Sequence, residues 1–185
     1  MSFSGAVHHF QTITKHRHRV IQHCFKAGIP WRGLMHDLSK YTPTEFCEGA
    51  KNWLGTRSPN EKAREDKGYS LAWLHHQGRN RHHFEYWFDY NPQTHRREPV
   101  KMPLIFVMEM FCDRVAASKF YQGENYTDRH PLDYFMRAKG TRVIHPQTSD
   151  LLESWLVMLA EKGEKETFQY LRNLRKNKSE VDYEG

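Results

Sequence analysis

Apolar positions recur along most of this chain at helical rather than strand spacing. From Val7 to Ala27 the residues Ile13, Val20, Ile21 and Phe25 mark the apolar side of one long helix, and Gly28 stands where a helix ends. Thr42-Pro43-Thr44-Glu45 has the chemistry of a helix start: a hydroxyl cap, proline at the first position and glutamate at the third. Ser58-Pro59-Asn60-Glu61 repeats it and predicts a helix running towards His76, before Gly78 and Asn80 interrupt. A short helix is expected over His82 to Asp89, with Phe84, Trp87 and Phe88 turned inward, and a polar loop over Asn91 to Pro103. A strongly apolar helix follows from Leu104 to about Tyr121, then a helical turn from Asp133 to Ala138. Thr148 or Ser149 is expected to cap a helix reaching about Ala160, and Glu164 to Lys176 reads as a last surface helix. No segment alternates with period two over the length of a strand. The expected fold is all-α, a compact bundle of six to eight helices, with one domain over residues 1–176 and a polar tail over 177–185.

Composition narrows the class. At 185 residues the chain has room for one core without disulfides. Its three cysteines, Cys24, Cys47 and Cys112, form no Cys-x-x-Cys pair and sit in apolar-periodic stretches, so buried thiols and a reducing cytoplasm are expected. No secretion signal and no apolar run of transmembrane length is readable. Lys and Arg number 28 against 22 Asp and Glu, a net charge of +6 that suits an anionic partner: a phosphate ester, a nucleotide or a nucleic acid. The 13 histidines are the unusual number, because they fall at particular places.

Those places carry chemistry. His36-Asp37 puts an imidazole and a carboxylate side by side, and Lys40 follows in His36-Asp37-Leu38-Ser39-Lys40. His16 lies earlier on the first helix, with His18 and His23 nearby, and an antiparallel helical hairpin would return His16 to His36. Asp113 sits inside the most apolar helix, where an unpaired carboxylate is costly and calls for a cation. Glu109, a helical turn before it, is a candidate ligand support or base; the plain alternative for both acids is a salt bridge to an arginine such as Arg114. The segment from His75 to His83 holds His75, His76, His82 and His83 with Arg79 and Arg81, a mixture suited to metal and to phosphate. Glu45 reads as the third residue of a capping box before it reads as a base. Trp53, Tyr69, Trp73, Tyr86 and Trp87 read as core before they read as base-stacking groups, and Tyr41 is the aromatic expected nearest a substrate. His130 and His145 read as surface residues flanking helices.

The order His16, His36-Asp37, histidine cluster, Asp113 resembles the signature of HD-superfamily metal-dependent phosphohydrolases, with Ser39 in place of the glycine of the HDxGK form. More closely, Gly33 to Tyr41 and Trp73 to Trp87 resemble an uncharacterised family of small HD-like proteins of bacteria and phages, over roughly residues 10 to 120. The resemblance implies an HD-like domain with one or two divalent cations (Mn, Fe, Co, Zn or Mg). His16, His36, Asp37 and Asp113 would hold the first; His76, His82 and His83, with Asp37 bridging, would hold the second. The short interval between His76 and His82 departs from classical members. His75 against His76, and His16 against His18, stay open as alternatives. Asp37 and Lys40 are the expected catalytic groups, and Lys40, Arg79 and Arg81 the expected phosphate binders. A phosphohydrolase is the leading reading; a non-catalytic nucleotide- or nucleic-acid-binding protein and a di-iron oxygenase are its rivals.

Overall fold

The computed structural model describes residues 3–177, so most of the expected polar tail, residues 178–185, lies outside the described residues. In order, the elements are α1 (Phe3–Ala27), α2 (Pro30–Met35), α3 (Pro43–Lys51), α4 (Pro59–Lys67), α5 (Leu71–Gln77), β1 (Phe88–Asn91), β2 (Arg96–Pro99), α6 (Leu104–Gln122), α7 (His130–Arg137) and α8 (Pro146–Lys176). The fold is all-α apart from one small hairpin. No helix among the described residues is long and apolar enough to cross a membrane.

α6 is the axis of the core. Val107, Met108, Phe111, Cys112, Val115 and Ala116 are wholly buried on it, as its strongly apolar sequence requires. Around it pack Val20 and Cys24 of α1, Phe135 of α7, and Leu152, Trp155, Leu156, Leu159 and Leu171 of α8. Truncating a side chain such as Phe111 or Trp155 to alanine would cost about 3–5 kcal/mol.

Several expectations change. α1 starts at Phe3 rather than Val7; Ile13 and Val20 are buried, but Phe25 is half exposed. The single helix expected from Ser58 to His76 is two helices. Gly68, at φ 80°, ends α4, and Ser70 opens α5 by accepting from Trp73 N at 3.1 Å. His82 to Asp89 is not a helix: one 3-10 turn at Phe84–Tyr86 leads directly into β1. Phe84 and Trp87 still pack on the core. The polar segment after Asn91 folds back as β2, antiparallel to β1 with Phe88 opposite Pro99. Neither strand has a buried face, so no alternation betrays it.

α8 starts at Pro146, with His145 as its cap; Thr148 instead accepts from Met102 N at 3.0 Å. Gly163, at φ 78° and ψ 174°, breaks α8 where the two expected helices meet. Cys24 and Cys112 are buried as expected, whereas Cys47 is exposed because α3 turns Glu45, Gly49 and Ala50 inward. Tyr69 is 53% exposed, and Trp53, Trp73, Tyr86 and Trp87 are half buried rather than core.

Candidate metal centre

Four elements converge on one buried cluster. α1 supplies His16. Gly33 lets α2 lie against α1, since a Cβ there would stand 2.7 Å from Cys24 Cβ and 3.1 Å from Ile21 Cα. That contact delivers His36 and Asp37 at the end of α2, where Asp37 has a left-handed backbone (φ 54°) that an L residue adopts at a cost. Arg17 pins the turn by donating from Nε to His36 O at 3.1 Å. The end of α5 and the turn after it bring His76, His82 and His83, and α6 brings Asp113.

Asp37 is at the centre. Its Oδ1 lies 3.3 Å from His76 Nε2 and 3.4 Å from His82 Nε2, and its Oδ2 lies 3.3 Å from His36 Nε2 and 2.6 Å from Lys40 Nζ. On the far side, His16 Nε2 is 2.8 Å and His36 Nε2 3.7 Å from Asp113 Oδ1. His83 Nε2 is 2.9 Å from His76 Nε2. Three metal-competent groups result among the described residues: Asp37, His76, His82 and His83; His16, His36 and Asp113; and His36, His82 and Glu109, each with its ligand atoms within 4.8 Å of one another.

A second layer aims the rings. Glu109 Oε1 accepts from Nδ1 of His36 at 3.0 Å and lies 3.3 Å from Nδ1 of His82, while Arg32 holds Glu109 Oε2 at 2.7 Å. Glu45 does the same for Nδ1 of His75 at 2.6 Å and of His76 at 2.8 Å. A proton fixed on Nδ1 leaves the Nε2 lone pair facing the centre, the tautomer a metal ligand needs.

Charges in the cluster follow the pairing. Burial alone would depress His36, but Asp37, Asp113 and Glu109 outweigh it and hold the imidazole well above its usual range. Burial would raise Asp37, yet His36, Lys40 and His76 keep it well below the carboxylate range; Asp113 is held down likewise by His16 and His36. His83 is driven well down by burial and by the charges of His82 and His76.

Whether a cation fits is decided by the atoms that remain unsatisfied. His36 Nε2, His82 Nε2 and Asp37 Oδ1 are buried without a hydrogen-bond partner, and all three face the centre. Three such atoms in one small volume are a donor set lacking its acceptor, and two imidazole nitrogens with a carboxylate oxygen suit a divalent transition metal.

The chain belongs to the DUF5662 family, a family of unknown function. Its family model matches residues 5–158, a span that contains every group described above. No curated protein and no solved structure matches the chain. This DUF5662 protein brings all seven sequence-predicted ligands, His16, His36, Asp37, His76, His82, His83 and Asp113, to one place. His18 is exposed and His23 instead bonds Cys112 O at 3.2 Å, so the first helix points His16 to the site. His75 stands outside the cluster, tied to Glu45. His130 and His145 belong to no metal-competent group among the described residues.

The phosphate-binding expectation is corrected in part. A cavity of about 300 Å³ opens beside the cluster and is bordered by Lys40, but neither Arg79 nor Arg81 lines it. Arg79 is exposed and donates back to His75 O, and Arg81 lies over the rings of Tyr86 and Phe106. Tyr41 does not line it either; its hydroxyl pairs with Thr14 at 3.0 Å. The cavity wall is instead Trp73, Phe120, Tyr121 and Tyr134, of which only Trp73 stood out in the sequence. Glu45 is no capping-box residue, since Thr42 makes no side-chain cap and Glu45 binds two histidines.

Proposed function

We propose that this chain is a metal-dependent phosphohydrolase acting on a phosphate ester of a nucleotide or a related small molecule. The observation that carries the reading is the convergence of unsatisfied His36 Nε2, His82 Nε2 and Asp37 Oδ1 beside a cavity of small-molecule size. His16, His36, Asp37 and Asp113 would hold one cation, and Asp37, His76, His82 and His83 a second. A divalent cation held there supplies Lewis acidity towards a phosphoryl oxygen and towards water.

The chain's own groups do the rest. Lys40 is paired with Asp37 at 2.6 Å and borders the cavity, so its ammonium is placed to neutralise charge developing on the phosphoryl group. Asp37 is the carboxylate placed to orient an attacking water. Glu45 and Glu109 lock the imidazoles, and Glu45 also borders the cavity. The small volume of the cavity, about 300 Å³, and its aromatic wall favour a small ester over a nucleic-acid strand, whose recognition needs an extended basic groove.

The first test is metal content by elemental mass spectrometry on the wild type and on a His36→Ala, Asp37→Ala double variant. One or two equivalents of transition metal, lost in the variant, followed by Mn²⁺-dependent hydrolysis, releasing phosphate from nucleotide monoesters or a monoester from phosphodiesters, is the expected result. No metal bound, and none taken up from added Mn²⁺, Fe²⁺ or Zn²⁺, would leave a basic binding module as the better account. Bound iron with dioxygen consumption and no phosphate release would move the assignment to an oxygenase.

A further inference from the structure

On the α6–α7 side of the cavity two guanidinium groups come together, and neither forms an ion pair with a carboxylate among the described residues, although the charge of Glu85 reaches both. Arg114 follows Asp113 on α6. Its Nε is shut off from solvent without a partner, and it forms no ion pair or hydrogen bond among the described residues. Arg142 lies just beyond α7 and donates from Nη1 to Phe135 O at 3.0 Å and from Nη2 to Tyr134 O at 3.4 Å. Those bonds cap the end of α7 and leave its other N–H groups unspent. Both guanidinium carbons stand over the buried Phe135 ring, at 5.9 Å for Arg114 and 5.1 Å for Arg142.

Two like charges over one apolar ring repel. Burial and the charge of Arg142 together pull Arg114 down to about 10. Glu85 is the acid in this neighbourhood. It forms no ion pair with either arginine, and its Oε2 is buried without a partner. The arrangement therefore has two guanidinium groups for one carboxyl that bonds neither, an excess of donors over acceptors. One side chain separates it from the cavity: Tyr134 borders the cavity, and Arg142 lies 5.7 Å from the centre of its ring.

We propose that Arg114 and Arg142 form an oxyanion subsite that takes a second anionic group, a phosphate or a carboxylate, of the molecule whose ester lies at the metal cluster. Guanidinium forks match such groups in shape and charge, and Lys40, already paired with Asp37, is not free to serve both. The identity of the molecule rests on the phosphohydrolase reading; the binding of an anion between the arginines does not.

The experiment is calorimetric titration of inorganic phosphate into EDTA-treated full-length protein, for the wild type, Arg114→Gln and Arg142→Gln, with a thermal melt of each. Phosphate should bind the metal-free wild type, and about tenfold or more weakly each arginine variant that folds. Should Arg114→Gln fail to fold, Arg142→Gln decides alone. No phosphate binding to folded wild type, or equal affinity in Arg142→Gln, overturns the subsite. In the metal-loaded protein, Arg142→Gln should raise KM for an ester bearing a second phosphate and leave that of a simple monoester unchanged. Arginine-dependent phosphate binding with no ester hydrolysed would overturn the hydrolase reading and the link to a substrate, while the anion site would stand.

Discussion

Glu109 Oε1 lies 3.0 Å from His36 Nδ1, and the same oxygen lies 3.3 Å from His82 Nδ1. One buried carboxylate thus orients two rings that belong to different elements. Glu109→Gln keeps the shape, removes the charge and offers one carbonyl where a carboxylate served two rings and Arg32. Metal affinity should fall by about 10- to 100-fold, read by competition with a chromophoric chelator. An unchanged affinity would show that ring orientation is set elsewhere.

The left-handed backbone at Asp37 inverts an ordinary ranking. Both Asp37→Gly and Asp37→Ala remove the carboxylate, but alanine must also adopt φ near 54°. In metal-free protein the glycine variant should be the more stable by about 1 kcal/mol, measured by urea denaturation. Equal midpoints would mean that the turn relaxes once the side chain is gone.

Gly33 sets the distance between α1 and α2. Gly33→Ala meets Ile21 backbone at 3.1 Å, which cannot rotate away, and should cost about 1–3 kcal/mol. Because α2 delivers His36, metal affinity should fall with stability. A variant that loses stability and keeps full affinity would uncouple the helix contact from the site.

His23 makes stability sensitive to acid. Burial, aided by the charge of Lys119, lowers it to about 4, so the fold holds it neutral with its Nδ1 proton on Cys112 O. Between an unfolded value of about 6.5 and a folded value of about 4 the unfolded chain takes up a proton that the native one refuses. Stability should therefore be level above about pH 6.5 and fall as pH drops towards 4. Thermal melts of metal-free protein should show this acid limb, and His23→Gln, whose amide can still donate to Cys112 O, should flatten it. An identical limb in the variant would assign the acid sensitivity to the other buried histidines.

The sequence exposes the site better than the scaffold around it. His36-Asp37, Asp113 within an apolar helix and the histidine cluster are local anomalies of composition, visible without a fold. The choice of His16 over His18 was available from helical period, since His16 shares a face with Ile13 and Val20, both buried. Glu45 was hidden by a local pattern with an equally good local explanation; its partners, His75 and His76, lie on another helix. Arg79 and Arg81 were misplaced because proximity in sequence says nothing about which side of a turn faces a cavity. The hairpin escaped notice because both its faces are wet. The break at Gly68 rested on one glycine, which a helix can also absorb.

The pairing of His36 with Glu109 joins positions 73 residues apart, and His23 meets Cys112 across 89. The cluster therefore has no precursor in any short stretch of the chain. Its loops must all be closed, at an entropic cost that grows with their length, before any cation can find its ligands. A bound ion would then be a late arrival that ties the first helix to the sixth, slowing escape from the native state more than it speeds the approach to it.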